Sequence, residues 1–558
     1  MLQFLDTMTN KDIAKAFQYL ANLMELHGEN KFKIRTYANS YINLRKQPAT
    51  LAEMSQSELE AVKGIGKSVA AKIRELVDTG KMETIQKFEA ITPEGVQEML
   101  QIKGFGPKKV AVIWKELEVE TIGELLYACN ENRLVELKGF GAKTQADLKQ
   151  KLEYYERSKG KSRYADVEAA ANAVLAHLQR LLPDARVAFT GAMRRKSPII
   201  ERIEILIANA QSIETVFDEA FLFKTGEKDG IYNGRTAENT AVKIYTCSKE
   251  EFGSKQFRYT ANADFLEAFI AHHEGVDFKA LAEEENVFEK ANLPFIAPEL
   301  REQDWGFELA KNNQLPALIE LEDIKGVVHN HSTYSDGINS LQEMAEATRD
   351  AGYEYLVMSD HSKAAFYANG LKEDRLYQQW AEIDALNTQM APFKIFKSIE
   401  SDILNDGSLD YPEAILKQFD LIIASVHTNL RMDEEKATQR IITAVENPYT
   451  TILGHPTGRL LLSRKGYPID HKKVIDACAA NGVSIELNAN PYRLDIDWTW
   501  IPYARAKGVL ISINPDAHSV QGIHDIKYGV FAARKGGLTK EGCLNAKGLA
   551  EFSTFLGI

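Results

Sequence analysis

Cysteine is scarce in this chain. Only Cys129, Cys247, Cys478 and Cys543 occur among 558 residues, and no two form a CxxC pair. A disulfide framework is therefore not expected, and the four read as thiols in a reducing cytoplasm. No run of about 18 apolar residues is present, so neither a membrane span nor a membrane partner is expected. The opening MLQFLDTMTNKDIAKAF lacks the basic start and long apolar core of a signal peptide. Low-complexity tracts are missing as well. So is an excess of positive charge: the net charge of −12 argues at first against a nucleic-acid partner.

That charge is unevenly spread. Residues 1–160 carry 24 Lys/Arg against 22 Asp/Glu, leaving 43 against 57 in the remainder. The acidic C-terminal part suits a carboxylate-rich metal site, while the front can still present local basic patches. The length exceeds what one hydrophobic core organises, so several domains are expected.

The front of the chain reads as helices joined by short turns. DIAKAFQYLANLMELHG places apolar residues at helical spacing. A glycine motif then recurs as VKGIGKSVAAKI (62–73), IKGFGPKKVAVI (102–113) and LKGFGAKTQADL (137–148). Each copy is apolar-Lys-Gly-apolar-Gly followed by an amphipathic helix. The reading is a helix-hairpin-helix. Its glycines let the backbone turn, and the following helix N-terminus offers free N–H groups to a DNA phosphate. The DNA-binding candidates are Gly64, Gly66, Lys67, Gly104, Gly106, Lys108, Gly139, Gly141 and Lys143, with lysines adding attraction without reading bases. The competing reading is a helical corner that needs glycine for packing alone.

From residue 185 strand-like runs begin (RVAFTGAM, RIEILIAN, TAVKIYTC), marking a mixed α/β region. An ordered connector follows near 290–325. After it, strand and helix patterns alternate to the end, as in a parallel α/β barrel. Nine ligand-type side chains sit just past short apolar runs there: His329, His331, Asp336, His361, Glu400, His427, His455, Asp516 and His518. A barrel with its site at the C-terminal strand ends writes itself this way. Six of the chain's 12 histidines are in the set. A lone histidine after a strand is more often a core residue, but nine such positions in succession point to a cluster for two or three divalent ions. Mixed imidazole and carboxylate ligands favour Zn, Mn or Fe over Mg or Ca. His329 and His331 flank one residue of an extended segment and so turn to one side. Glu400 has two oxygens to bridge ions. Asp360 is placed to orient a histidine. Arg459 and Arg493 read as phosphate clamps, with Lys363 assisting. Glu400, His361, Asp516, Arg459 and Arg493 are the groups expected to act on a phosphate ester directly, since clusters of this size hydrolyse such esters.

On these strings the chain resembles a bacterial family X DNA polymerase fused to a C-terminal PHP (polymerase and histidinol phosphatase) domain. The glycine repeats, GAMRRKSPIIERIEIL, PELRE and the PHP strings occur in family order. The resemblance implies a multidomain α plus α/β protein. Residues 1–85 would be a lyase-like helical domain, 86–160 a fingers-like hairpin region, 161–245 a palm, 246–302 a thumb and 303–325 a connector. Residues 326–558 would be a distorted (β/α)7 PHP barrel. By the same resemblance, Lys72 stands where the family's lyase nucleophile lies.

The palm departs from the family pattern of Gly-Ser-aromatic-Arg-Arg and three metal-binding aspartates. It reads Gly191, Ala192, Met193, Arg194, Arg195, and then Arg202, Glu204 and Lys243 at the aspartate positions. Thr260, Ala261 and Asn262 replace the nucleotide-binding Thr-Gly-Ser. Two cations in place of carboxylates repel Mg²⁺, so no Mg pair and no polymerisation are expected there. The expected function is metal-dependent hydrolysis of DNA phosphoesters, as 3′–5′ exonuclease, abasic-site endonuclease or 3′-phosphatase. The substrate would be gapped, nicked or abasic DNA, bound by a monomer. The alternatives are an active gap-filling polymerase with PHP proofreading, a histidinol-phosphatase-like enzyme for small molecules, and a DNA scaffold without chemistry.

Overall fold

The computed structural model describes residues 8–558 apart from 103, 104, 118, 121, 123, 124, 126–128, 130–133, 135–139, 159, 210–212, 219, 238, 366, 367, 431, 463 and 464. The chain divides into two compact units, Met1–Lys159 and Gly160–Ile558.

The first unit is helical. Helix α1 (Asn10–Leu26) starts at a capping box in which Thr9 and Asp12 satisfy each other's free N–H groups. Its Ile13, Phe17, Leu20 and Met24 enter one core, and its Leu23 and Leu26 enter a second. Ile85 and Phe88 also pack against both cores. A boundary at 85/86 therefore falls where the two cores are stitched together, not in a linker. In each glycine motif the middle residue is the plug: Ile65, Phe105 and Phe140 are all buried. Helices α2 (Lys67–Thr79), α3 (Pro107–Leu117) and α4 (Ala142–Ser158) follow the three motifs directly.

The second unit opens with helix α5 (Tyr164–Leu181) and a five-stranded mixed sheet. Its strands are β1 (Arg186–Phe189), β2 (Ile203–Ala208), β3 (Leu222–Lys228), β4 (Ile231–Thr236) and β5 (Ala241–Cys247), in the order β1-β2-β5-β4-β3. β2 and β5 are parallel and the other pairs antiparallel.

Seven parallel strands follow: β6 (Gly326–Asn330), β7 (Tyr355–Met358), β8 (Lys394–Asp402), β9 (Leu421–Ser425), β10 (Ile452–Leu453), β11 (Ser484–Asn488) and β12 (Ile511–Asn514). They neighbour one another in chain order, with helices between, so the connections are the short crossovers expected of a barrel. The ends meet where His331 N–H donates to Ala517 O at 2.8 Å. Lower down, Asn545 fills the seam by donating to the carbonyls of Gly326 and Ile513. Both strand faces are apolar, which explains the unbroken apolar runs. Val327, Leu356, Ile395 and Ile422 face the helices, while Val328, Tyr355, Phe396 and Leu421 form the interior core with Phe552.

Between sheet and barrel, the PELRE segment uses every charge it carries. Glu299 pairs with Arg534 at 2.8 Å, and buried Arg301 with Glu284 at 2.6 Å. Glu302 receives Lys535 at 2.5 Å and Arg195 at 3.1 Å. The connector is thus a brace. The barrel helix Ile526–Lys535 also meets α5 through Lys527 and Tyr528, both bonded to Glu168.

Candidate metal centre and nucleic-acid interface

Strand alternation explains how carboxylates come to sit inside an apolar barrel. The interior column of β8 runs Phe396, Ser398, Glu400, Asp402, and that of β11 runs Ser484, Glu486, Asn488. Each column is small or apolar low in the barrel and charged or polar at the C-terminal end. Glu400 is 1% exposed, and four imidazoles converge on it. His455 Nε2 lies 2.9 Å and His427 Nε2 3.1 Å from its Oε1; His329 Nε2 is 3.2 Å from the same oxygen. His361 Nδ1 is 2.9 Å from Oε2. His331 Nε2 is 3.1 Å from Asp516 Oδ1. Asp336 closes the rim, 3.6 Å from His361 and 3.4 Å from His518.

His329 and His331 do come together, with ring centroids 5.3 Å apart, but not by simple alternation. The β6–β7 register breaks between Val327 and Asn330, and His329 adopts φ 66°. Asp516 has φ 52°. Two ligand-type residues thus hold a left-handed backbone that side chains disfavour, a strain that surrounding structure must maintain.

The charges in this cluster are opposed and buried. Burial alone would keep His329 neutral, yet Glu486, Glu400 and Asp516 raise its pKa well above the ordinary imidazole value. His427 and His518 are likewise raised to about 9 against burial, by Glu400 and Asp402 and by Asp336 and Asp516. His331 goes the other way, pushed down to about 3 by burial and by neighbouring His518 and His361. Burial would raise Glu400, but His427, His329 and His361 hold it well below the carboxylate range. A nest this acidic draws in positive charge. Three groups of side chains here can each hold a metal ion: His331, Asp336, His361 and His518; His329, His331 and Asp516; and His361, Glu400 and His427. His331 Nδ1 is buried and makes no hydrogen bond, which leaves a lone pair free for a cation.

Not every expected residue enters the nest. Asp360 turns its carboxylate to the neighbouring loop. It accepts from the N–H and hydroxyl of Ser332, the N–H of Ser335 and Gln379 Nε2, which pins the loop between His331 and Asp336. Arg459 is not a free clamp, because its guanidinium donates to the carbonyls of Arg493 and Leu494 and to Asp497. Those partners are brought to it by the loop of residues 490–497, which it holds in place. Arg493 does reach the nest, 3.5 Å from Asp516 Oδ2. Lys363 pairs with Glu373 at 2.7 Å.

In the helical unit, Gly64 has φ 91° and turns the first hairpin, while Gly66 has an ordinary φ of −86° as the N-cap of α2. A Cβ added at Gly66, Gly106 or Gly141 would meet nothing within 4 Å. Lys67, Lys108 and Lys143 are exposed. Gly104 and Gly139 lie outside the described residues. Lys72 donates to Thr84 Oγ1 at 2.5 Å and does not line the open groove of about 470 Å³ formed by Gly64, Gly66, Ser68, Asn39 and Asn43.

In the mixed sheet, Glu204 on β2 stands in register with Lys243 on β5. Tyr245 OH donates to Glu204 Oε1 at 2.8 Å. The other oxygen packs under Gly191, where a Cβ would come within 2.0 Å of it. Arg202 is a surface residue 3.8 Å from Glu201. Arg194 is drawn to Glu284 and Thr260, and Arg195 to Glu302.

Residues 8–82 match the family model of a helix-hairpin-helix domain, and residues 96–153 that of a SAM-like helix-hairpin-helix tandem. Across 574 aligned residues the chain is 34% identical to the DNA polymerase/3′–5′ exonuclease PolX of Bacillus subtilis (strain 168), covering 98% of this chain and 99% of that protein. The chain belongs to the PolX family. It is also 29% identical over 231 residues to a probable phosphatase of Thermoanaerobacter sp. (strain X514), covering 39% of this chain and 88% of that one. A probable phosphatase of Caldanaerobacter subterraneus is 35% identical over 135 residues, 22% of this chain and 51% of that protein.

Within this PolX-family site, three polar residues escaped the sequence reading. Glu486 accepts from His329 Nδ1 at 2.6 Å, from the His455 N–H at 3.1 Å, and from Asn488 and Asn514. Asp402 accepts from His427 Nδ1 at 2.5 Å. Asn488 also donates to Asp516 Oδ2 at 3.1 Å. The available signal was an acid inside an otherwise apolar strand string, SIELN, and a second acid two places beyond Glu400. No described helix is long and apolar enough to cross a membrane.

Proposed function

We propose that the barrel is a divalent-metal-dependent phosphoesterase acting on DNA ends in repair, with DNA held by the hairpin unit and the palm inert in nucleotidyl transfer. The convergence of His329, His361, His427 and His455 on buried Glu400 carries this reading. The three ligand groups would hold two or three divalent ions of the Zn, Mn or Fe kind, with Glu400 among the ligands. When bound, such ions lower the pKa of water and neutralise phosphate oxygens. The protein's own groups do the rest. Arg493 faces the nest from one side and suits a phosphate oxygen, because a guanidinium binds such oxygens in pairs. His518, at the rim beside Asp336, would complete the ligand group it forms with His331 and His361. Asp360 keeps the His331–Asp336 loop rigid, and Arg459 keeps Arg493 in place.

The hairpins favour DNA over a small-molecule phosphate. Gly66, Gly106 and Gly141 have no neighbour that a methyl group would touch, so internal packing does not ask for glycine there. Close approach by an external backbone does, and phosphate groups at a helix N-terminus are such a backbone. The palm reading rests on Glu204, whose carboxylate is taken up by Tyr245 and the Gly191 turn, with Lys243 directly across.

The test uses gapped DNA with a 5′-labelled primer, Mn²⁺, and dNTPs present or omitted, beside the His329→Ala/His331→Ala variant. Wild-type shortening that the variant loses is the expected result. Template-directed lengthening that survives in the variant overturns the palm reading, and binding without any change in length overturns the nuclease.

A further inference from the structure

One half-exposed aromatic ring stands beside the nest. Tyr492 is 50% exposed, although its backbone is held from several sides. Its N–H donates to Asn490 Oδ1, its carbonyl accepts from Leu461 N–H at 2.6 Å, and Arg459 grips the two carbonyls that follow. The next residue is Arg493, which reaches Asp516. On its far side the same loop is backed by the palm: Pro491 and Leu494 share a small cavity with Tyr164, Lys196 and Pro198.

One face of the Tyr492 ring is covered by Arg163, whose guanidinium carbon lies 3.4 Å from the ring centroid. Arg163 belongs to the palm side. The short antiparallel pairing of Ser162–Arg163 with Ile199–Ile200 places it, and a 2.9 Å ion pair with Asp166 at the start of α5 fixes its plane. Because Asp166 already balances its charge, Arg163 does not act here as a phosphate binder. It acts as a rigid, planar backing that holds the tyrosine ring at one angle. A firmly mounted aromatic face with a cation behind it, one residue from an arginine aimed at the metal nest, is the arrangement on which nucleic-acid bases stack.

We propose that Tyr492, backed by Arg163, is a nucleobase-stacking subsite that receives a base of the single-stranded 3′ end as its phosphodiester enters the nest. The inference rests on the nuclease reading and adds a reason for the palm to persist: it supplies half of the platform. Tyr492 is a binding residue and Arg163 a positioning residue, and neither touches the reacting phosphate.

The experiment compares an all-adenine 8-mer with the same 8-mer carrying abasic residues at the three positions preceding its 3′ terminus. Both are digested with Mn²⁺ by wild type, Tyr492→Ala, Tyr492→Phe and Arg163→Ala. In wild type the base-bearing strand is favoured by about tenfold in kcat/KM, mainly through KM, as stacking of this kind supports. In Tyr492→Ala the preference falls to about one, with the abasic strand cut as before; Tyr492→Phe restores it, and Arg163→Ala lowers it in part. A preference that survives Tyr492→Ala overturns the stack, as does an equal loss on both strands, which marks the ring as structural. A wild-type enzyme that shortens neither strand sinks the nuclease reading as well, and so separates the two failures.

Discussion

Glu486 accepts from four donors and donates to none, so its carboxylate decides where a proton sits two atoms away. Because it can only accept, it keeps a proton on His329 Nδ1, so Nε2, beside Glu400 and Asp516, is the nitrogen that would give up its proton to bind a cation. Asp402 does the same for His427. A glutamine at 486 cannot satisfy the same four donors. Either its NH₂ meets His329 Nδ1 and moves the imidazole proton to Nε2, or it meets the His455 N–H and Asn488 amide, where two donors face each other. Both outcomes disturb a ligand without removing one. Glu486→Gln is therefore expected to weaken Mn²⁺ or Co²⁺ affinity about 10–100-fold, the usual effect of losing a ligand-orienting partner. Calorimetric titration measures the affinity, and the visible Co²⁺ spectrum reports the altered ligand geometry. Unchanged affinity and spectrum in a folded variant refute the tautomer argument.

At the scale of elements, the hairpins and the barrel strands differ in how openly they advertise themselves. A hairpin is local: Gly66, the plug Ile65 and the helix start at Lys67 all lie within three residues, so the motif and the side proposed to meet DNA are visible in the string. The expected consequence is specific. Gly66→Ala/Gly106→Ala adds methyl groups to open space at ordinary φ, so it costs under about 1 kcal/mol of stability per site as an N-cap change. DNA affinity should fall roughly tenfold or more, the worth of a charge-assisted hydrogen bond. Fluorescence anisotropy with a gapped duplex measures the binding and thermal melting the stability; equal losses in both would mean the glycines serve packing after all. The barrel strands were legible for a related reason, since each apolar run ends where a ligand begins. What stayed hidden depends on partners far away in sequence. Glu486 reads as an oddity inside a strand until His329, 157 residues earlier, is brought against it. Arg459 looks like a phosphate clamp until the carbonyls of residues 493 and 494 arrive to occupy it. The bulge that turns His329 inward leaves no mark at all, because histidine is not a residue that signals positive φ.

Across the whole second unit, the brace between mixed sheet and barrel turns on one buried carboxylate. Burial alone would raise the Glu302 pKa, but the charges of Lys535 and Arg195 outweigh it and, with the Ser197 hydroxyl, hold it down to about 2, against an ordinary 4.5. A carboxylate depressed on folding stabilises the native state fully above the unfolded value, and that contribution fades as pH falls from about 4.5 toward 2. The shift corresponds to about 3 kcal/mol. Lys535, buried on the barrel helix, is pushed down to about 8 by burial despite Glu302, so it remains largely charged at neutral pH and depends on that partner. Glu302→Gln should therefore lower stability at pH 7 by about 3 kcal/mol, because it leaves a buried ammonium without its anion. Urea unfolding of both proteins at steps between pH 7 and pH 3 gives the decisive comparison. The metal nest titrates equally in both, so its acid loss cancels in the difference. The gap between wild type and variant should not narrow from pH 7 to about 5, where the variant's Lys535 must charge against burial, and should close below about 4.5 as the unfolded chain takes up a proton at Glu302. Parallel stability curves down to pH 3 would show that the brace is held by shape and not by this charge.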